Sequence, residues 1–109
     1  TDGRTVEAVD GVYLTQLVSG ERTSVQHFHI ESEATVPEHS HEYEQTGYVA
    51  NGTFTFLIDG SEHVINPGES FVIPPNAPHA AENRSEMPVN GIDVFSPPRT
   101  EPPWSPDSV

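Results

Sequence analysis

Val36-Pro37-Glu38-His39-Ser40-His41-Glu42-Tyr43-Glu44-Gln45-Thr46-Gly47-Tyr48-Val49-Ala50-Asn51-Gly52 is the stretch on which the reading of this chain turns. Residues two apart on a β-strand point to the same side, so His39 and His41, read as lying on a strand edge, present both imidazoles in one direction. A short turn then brings Gln45 within reach. A further histidine, His79, follows a second proline-rich block, Pro74-Pro75-Asn76-Ala77-Pro78, which cannot continue a ladder because proline has no N–H. That block reads as a rigid bend delivering His79 inward. Three imidazole nitrogens and one amide oxygen would hold a divalent cation and leave positions open for water or substrate.

Working outward, the rest of the chain reads as strands. Eleven prolines and eight glycines punctuate short runs rich in Val, Ile, Phe, Tyr and Thr, and nothing reads as helix. Strands are expected over 12–18, 24–30, 45–50, 53–58, 63–65, 70–73 and 89–95. Asn51-Gly52 and Asp59-Gly60 each read as a tight hairpin turn, because both dipeptides supply positive φ angles. The 24–30 strand sets Gln26, Phe28 and Ile30 against Val25, His27 and His29. Short strands joined by turns point to an all-β sandwich or barrel, whose closure removes exposed edges.

The 109 residues, 33% of them hydrophobic, suffice for one domain with a small core. Residues 1–109 are expected to form it, with 96–109 a proline-rich tail anchored by Trp104. With no cysteine, any metal must sit on His, carboxylate or amide groups. Seventeen acids face four arginines and no lysine, a net charge of −13. Such a surface repels itself in dilute salt and is relieved at high ionic strength, which suggests a salt-adapted organism; an acidic surface in an ordinary cell is the other reading. Nucleic acid and anionic membranes, which need basic partners, are excluded. No apolar run is long enough to cross a bilayer and no signal-peptide layout is seen, so a cytoplasmic protein is expected.

Two spaced motifs resemble those of the cupin superfamily. The first, Gly, five residues, His-x-His, three or four residues, Glu, six residues, Gly, is met by His39, His41, Gln45 and Gly52, with Glu33 in place of the first glycine and Gln45 in place of the glutamate. The second, Pro-x-Gly-x-x-His followed by Asn, is met by Pro74, Asn76, His79 and Asn83, with Asn76 in place of glycine. Asn tolerates a left-handed backbone. Losing the carboxylate leaves the full charge of the metal on the site, which makes it a stronger Lewis acid. The resemblance implies a double-stranded β-helix, or jelly-roll, cupin barrel holding one divalent metal (Zn, Ni, Fe, Mn or Cu) on His39, His41, Gln45 and His79, and a homodimer.

The ending Gly91-Ile92-Asp93-Val94-Phe95-Ser96-Pro97-Pro98-Arg99, together with the Gln ligand, resembles the KdgF-type pectin-degradation cupins. Those act on 4,5-unsaturated uronates and promote their conversion to linear keto sugars. The resemblance implies catalytic roles for Asp93 and Arg99, and substrate binding by Phe95 and Arg99. The chemistry is consistent: Asp93 and Phe95 share a strand face, a carboxylate beside a metal can move a proton, and a guanidinium can take a substrate carboxylate in a bidentate pair. A metal-dependent dioxygenase and a non-catalytic small-ligand-binding cupin are the alternatives. An inward Asp93 favours proton transfer; an apolar cavity with Asp93 facing solvent favours oxygen chemistry or binding. His27 and His29 repeat the His-x-His spacing without a partner motif and read as an outward strand face.

Overall fold

A computed structural model describes residues 5–99, and they form ten strands: β1 (Thr5–Val9), β2 (Val12–Ser19), β3 (Ser24–Ile30), β4 (Thr35–His39), β5 (Glu44–Asn51), β6 (Phe54–Ile58), β7 (Ser61–Ile65), β8 (Ser70–Ile73), β9 (His79–Glu82) and β10 (Val89–Ser96). They pair antiparallel in two sheets, one ordered β1-β2-β3-β10-β5-β8 and the other β4-β9-β6-β7. The chain crosses repeatedly between the two, as a jelly roll requires. No helix of the described residues is long and apolar enough to cross a membrane. The tail with Trp104 lies outside the described residues.

Strict alternation builds the interior. In β3 and β10 every second residue is buried, which places Ser24, Gln26, Phe28 and Ile30 inside opposite Phe95, Asp93, Gly91 and Val89. These four cross-strand pairs grade from polar at one end of the barrel to wholly apolar at the other. The apolar end joins Val12, Leu14, Val49, Ile73 and Val89 in one core. Two aromatic pairs tie the sheets together: Phe28 stacks on Phe54 at 5.6 Å between centroids, and Phe71 lies 4.3 Å from Phe56. Each of the buried rings Phe28, Phe54 and Phe56 contributes roughly 1.5–3 kcal/mol through burial. The chemistry-bearing residues occupy the other end.

Several expectations need correction. Asn51-Gly52 is not a hairpin turn, because β5 pairs with β10 and β8 while β6 belongs to the other sheet. Gly52 does take a positive φ of 80°, but it serves a crossing between sheets. Asp59-Gly60, with φ of 51° and 79°, is a true hairpin joining β6 to β7. β1 and β9 were not anticipated, and β4, expected only as a strand edge at His39 and His41, runs from Thr35 to His39; β1 and β4 are half-exposed edge strands, and β4 carries Pro37 within a register irregularity. Tyr48 is 49% exposed on the outer face of the large sheet.

The substituted glycine positions keep glycine-like backbone. Glu33 and Asn76 both adopt φ of 66°. Asn83, fully buried, closes the connection between β9 and β10: its Nδ2 donates to the carbonyls of Ile30, Glu31 and Met87, and its Oδ1 accepts from the Ser85 N–H and hydroxyl. The second motif thus contributes His79 to the site and Asn83 to the frame that holds it.

Candidate metal centre

The register of β4 against β9 pairs His39 with His79, so two imidazoles start on facing backbone positions. β4 ends at His39, and His41 therefore stands in the following loop rather than on the strand edge expected for it. Its ring nonetheless turns in: ring centroids are 4.2 Å apart for His39 and His79, 4.8 Å for His41 and His79, and 5.7 Å for His39 and His41. The bend before β9 places His79 in the interior, at 3% exposure, as the proline block demands.

All three rings are oriented the same way. His39 Nδ1 donates to the Pro37 carbonyl (2.9 Å), His41 Nδ1 to the Tyr43 carbonyl (3.1 Å) and His79 Nδ1 to the Ala77 carbonyl (2.8 Å). A carbonyl oxygen only accepts, so each Nδ1 carries the proton and each Nε2 presents a lone pair. One ligand atom from each of the three lies within 4.8 Å of the others. His79 Nε2 is buried with no hydrogen-bond partner, an expensive state for a polar atom unless something else occupies it. Gln45 Oε1 lies 3.1 Å from His41 Nε2, adding a fourth donor to the cluster. Three unprotonated imidazole nitrogens and an amide oxygen fit a divalent cation, and His39, His41 and His79 could hold one.

Electrostatics agree with that use. Burial depresses the pKa of all three histidines below 6.5, and the positive charge of Arg99 depresses each further, so the imidazoles stay neutral and able to ligate. Asp93 is buried beside them. Its carboxylate accepts from Gln45 Nε2 at Oδ1 (3.0 Å) and from Gln26 Nε2 at Oδ2 (3.1 Å). Burial pushes its pKa up from 3.8 to about 6, against the two amide donors and Arg99, which hold it down. Arg99, 5% exposed, rests its guanidinium carbon 4.6 Å over the Phe95 ring. Its backbone is anchored too, the N–H donating to Ser24 Oγ (2.9 Å) and the carbonyl accepting from Gln16 Nε2 (3.4 Å).

The expected ligands and the expected catalytic and binding residues thus lie together at one end of the barrel: His39, His41, Gln45 and His79 in one cluster, Asp93 bonded to Gln45, and Phe95 bridging His41 (5.9 Å) and Arg99. A cavity of about 50 Å³ runs from these groups down to Phe28, Phe54 and Phe56. His27 and His29 lie on the outward, half-buried side of β3, apart from the cluster, and His63 is exposed. Gln26 was not identified from sequence as part of the site. The signal was present, since it is a polar residue in the inward register of a strand whose other inward members are Ser24, Phe28 and Ile30.

Comparison with known proteins agrees with the geometry. A family model described as the cupin domain matches residues 26–95. The pectin degradation protein KdgF of Dickeya dadantii is 33% identical over 64 residues, 58% of this chain and 57% of that protein. The H2HPP isomerase of Bacillus subtilis is 31% identical over 64 residues, 59% of this chain and 27% of that protein. The matched region thus spans between about a quarter and just over half the length of these curated relatives. Among solved structures, KdgF from Halomonas sp. superposes with a TM-score of 0.82 at 26% identity, covering 89% of this chain and 88% of that one. An RmlC-like cupin from Shewanella frigidimarina gives 0.81 at 26% identity, covering 90% and 86%. With the paired motifs, the jelly roll and the family model in agreement over the core of the barrel, the chain belongs to the cupin domain family.

Proposed function

We propose that this cupin is a metal-dependent isomerase that opens 4,5-unsaturated uronate sugars to their linear keto forms. The observation that carries this reading is Asp93: it faces inward, is linked directly to Gln45 of the histidine cluster, and lies at the same barrel end as a buried arginine. His39, His41, Gln45 and His79 would hold one divalent ion, Zn, Ni, Fe, Mn or Cu. When bound, the ion supplies a Lewis acid that polarises a substrate oxygen.

The reaction is an internal redistribution of protons with no redox change. The anomeric hydroxyl loses a proton, the bond from C1 to the ring oxygen breaks, and the enol left at C5 becomes a ketone as a proton arrives at C4. Asp93, with its pKa lifted toward neutrality, suits both halves: its carboxylate takes the first proton and its acid form returns one. Arg99 holds the substrate carboxylate, and Phe95 packs against the sugar face beneath it. The named relatives support this reading, since one is a pectin degradation protein and another an isomerase.

The direct experiment follows the ultraviolet absorbance of freshly produced 4,5-unsaturated galacturonate, at high salt, with metal-loaded protein. Loss of the conjugated chromophore faster than the spontaneous rate, abolished by chelation and by Asp93→Ala, is expected. A rate equal to the spontaneous one with metal demonstrably bound refutes the reading. The apolar cavity floor at Phe28, Phe54 and Phe56 favours dioxygenase chemistry as the second reading, and oxygen uptake in the same preparation tests it.

The protein acts as a homodimer in a salt-rich cytoplasm. The cross-strand row Val18, Val25, Val94, Thr46 and Val72 runs over five strands on the outer face of the large sheet, beside the exposed Tyr48. From β3 to β8 the only outward carboxylate on these strands is Glu44 at one corner, on a chain of net charge −13. That neutral, apolar face is where a second equally anionic copy can approach without repulsion. Sedimentation at 2 M salt is expected to give a dimer that Val72→Glu converts to monomer; a monomeric parent protein refutes it.

A further inference from the structure

The two ends of a glutamine amide are nearly identical in shape and opposite in chemistry, and only the oxygen can donate a lone pair to a cation. A carboxylate ligand is indifferent to rotation by half a turn, whereas glutamine loses its ligand atom. A chain that places Gln45 among three histidines must therefore also fix which end of the amide faces them. Asp93 does this. As a carboxylate its Oδ1 can only accept, so Gln45 Nε2 turns toward it at 3.0 Å and Oε1 is left facing His41 Nε2 at 3.1 Å.

Asp93 is fixed in turn by Gln26, whose Nε2 lies 3.1 Å from Oδ2. The three residues sit on adjacent strands β3, β10 and β5, with Gln26 the direct register partner of Asp93. On the other side the position facing Asp93 is Gly47, where a β-carbon would fall 2.1 Å from the ring of Phe71. No side chain competes there, and Gln45 reaches Asp93 along the diagonal of the ladder. Gln26 shares its inward strand face with Ser24, Phe28 and Ile30. The amide is present for what it bonds, and the bond it makes is to Asp93.

We propose that Gln26 is a positioning residue of the metal centre: acting through Asp93, it locks the Gln45 amide with its oxygen toward His39, His41 and His79, so that cation affinity and donor set depend on a residue that does not touch the cation. The proposal rests on the cation-site reading of these four residues and is independent of the sugar chemistry. Partners one shell removed from a metal typically change its affinity by about 10- to 100-fold.

Cobalt(II) alone is the probe, titrated into the metal-free protein by calorimetry and followed by its visible d–d absorption, which reports the ligand set. Gln26→Leu is expected to weaken Co²⁺ binding about tenfold or more and to move the d–d bands toward those of Gln45→Leu. Adding Gln26→Leu to Gln45→Leu is expected to cost nothing further, because the amide it positions is gone. Gln26→Met, which keeps length and flexibility, serves as the second variant, and thermal melts without metal confirm that each is folded. Parental affinity and spectrum in both Gln26 variants overturn the proposal, as does a loss that is fully additive with Gln45→Leu. Failure of the parent protein to bind Co²⁺ sinks the cation site and this proposal together, an outcome distinct from a binding parent with unaffected variants.

Discussion

Replacing Asp93 with asparagine tests the electrostatics of the site without any substrate. In the metal-free protein, burial lifts the Asp93 pKa from 3.8 to about 6. The folded state therefore holds its proton where the unfolded chain has already released it. Stability from this group is complete below pH 3.8 and is lost as pH rises through about 6, a change of about 3 kcal/mol for a rise of that size. Asparagine has the same shape and does not titrate; Gln26 can turn its amide to match the new NH₂ group. The buried histidines act with the opposite sign, since their folded pKa values lie below 6.5 and their contribution is lost as pH falls. They are present in both proteins and cancel in the difference. Urea unfolding at pH 4 to 8, with chelator and 1 M salt to screen the net charge, is expected to show Asp93→Asn gaining about 2.4 kcal/mol relative to the parent between the two extremes, mostly below pH 6.5. A difference that stays constant, or that shrinks as pH rises, refutes the reasoning, because it means that Arg99 and the two amides outweigh burial.

Three further outcomes follow from the same geometry. A divalent cation at a hundred times its dissociation constant is expected to stabilise the protein by about 2.7 kcal/mol, and His79→Ala to abolish the gain; melts with and without chelator check it. Arg99→Leu is expected to raise KM for an unsaturated uronate about 10- to 100-fold, the loss of a charge-assisted pair, with a smaller effect on kcat; unchanged KM refutes its binding role. The melting temperature of the parent protein is expected to climb between 0.1 and 2 M sodium chloride as the repulsion of 17 acids is screened, and a flat or falling curve counts against salt adaptation.

What could be read from sequence and what could not divides along the range of the interactions involved. Alternation in 24–30 and 89–95, and the Asp59-Gly60 hairpin, depend on neighbours a few residues apart, and the structure matches them. Asn51-Gly52 carries the same local signal but serves a crossing, because the partners of β5 lie at β8 and β10, far along the chain. β1 and the start of β4 were hidden by Glu7, Pro37 and Glu38, residues tolerated because edge strands need only one paired side. The ligand cluster was legible because its motifs are local, even though His41 lies beyond the strand assigned to it. Gln26 escaped because its role exists only once β3 and β10 pair and set it against Asp93, 67 residues away.

The exterior is strongly acidic and the site is not, and Gln45, standing where the cupin motif has a glutamate, belongs to that contrast. The surface bears most of a net −13, while the buried end of the barrel gathers three histidines and Arg99 around the single carboxylate of Asp93. A glutamate at position 45 would put a second carboxylate within about 3 Å of the first, and two such groups cannot both remain ionised. The amide avoids that conflict: it offers oxygen toward the histidines and N–H toward Asp93, and it leaves the carboxylate free of a like-charged neighbour. A dication held there keeps more of its charge for an anionic ligand than it would beside a glutamate. High salt shortens the reach of the outer acids to about 3 Å at 1 M but penetrates little into a buried site. With a dication held by the histidines, an anion approaching in concentrated salt would meet a muted exterior and an almost unscreened positive interior, the arrangement under which a strongly acidic protein can still take an acidic substrate.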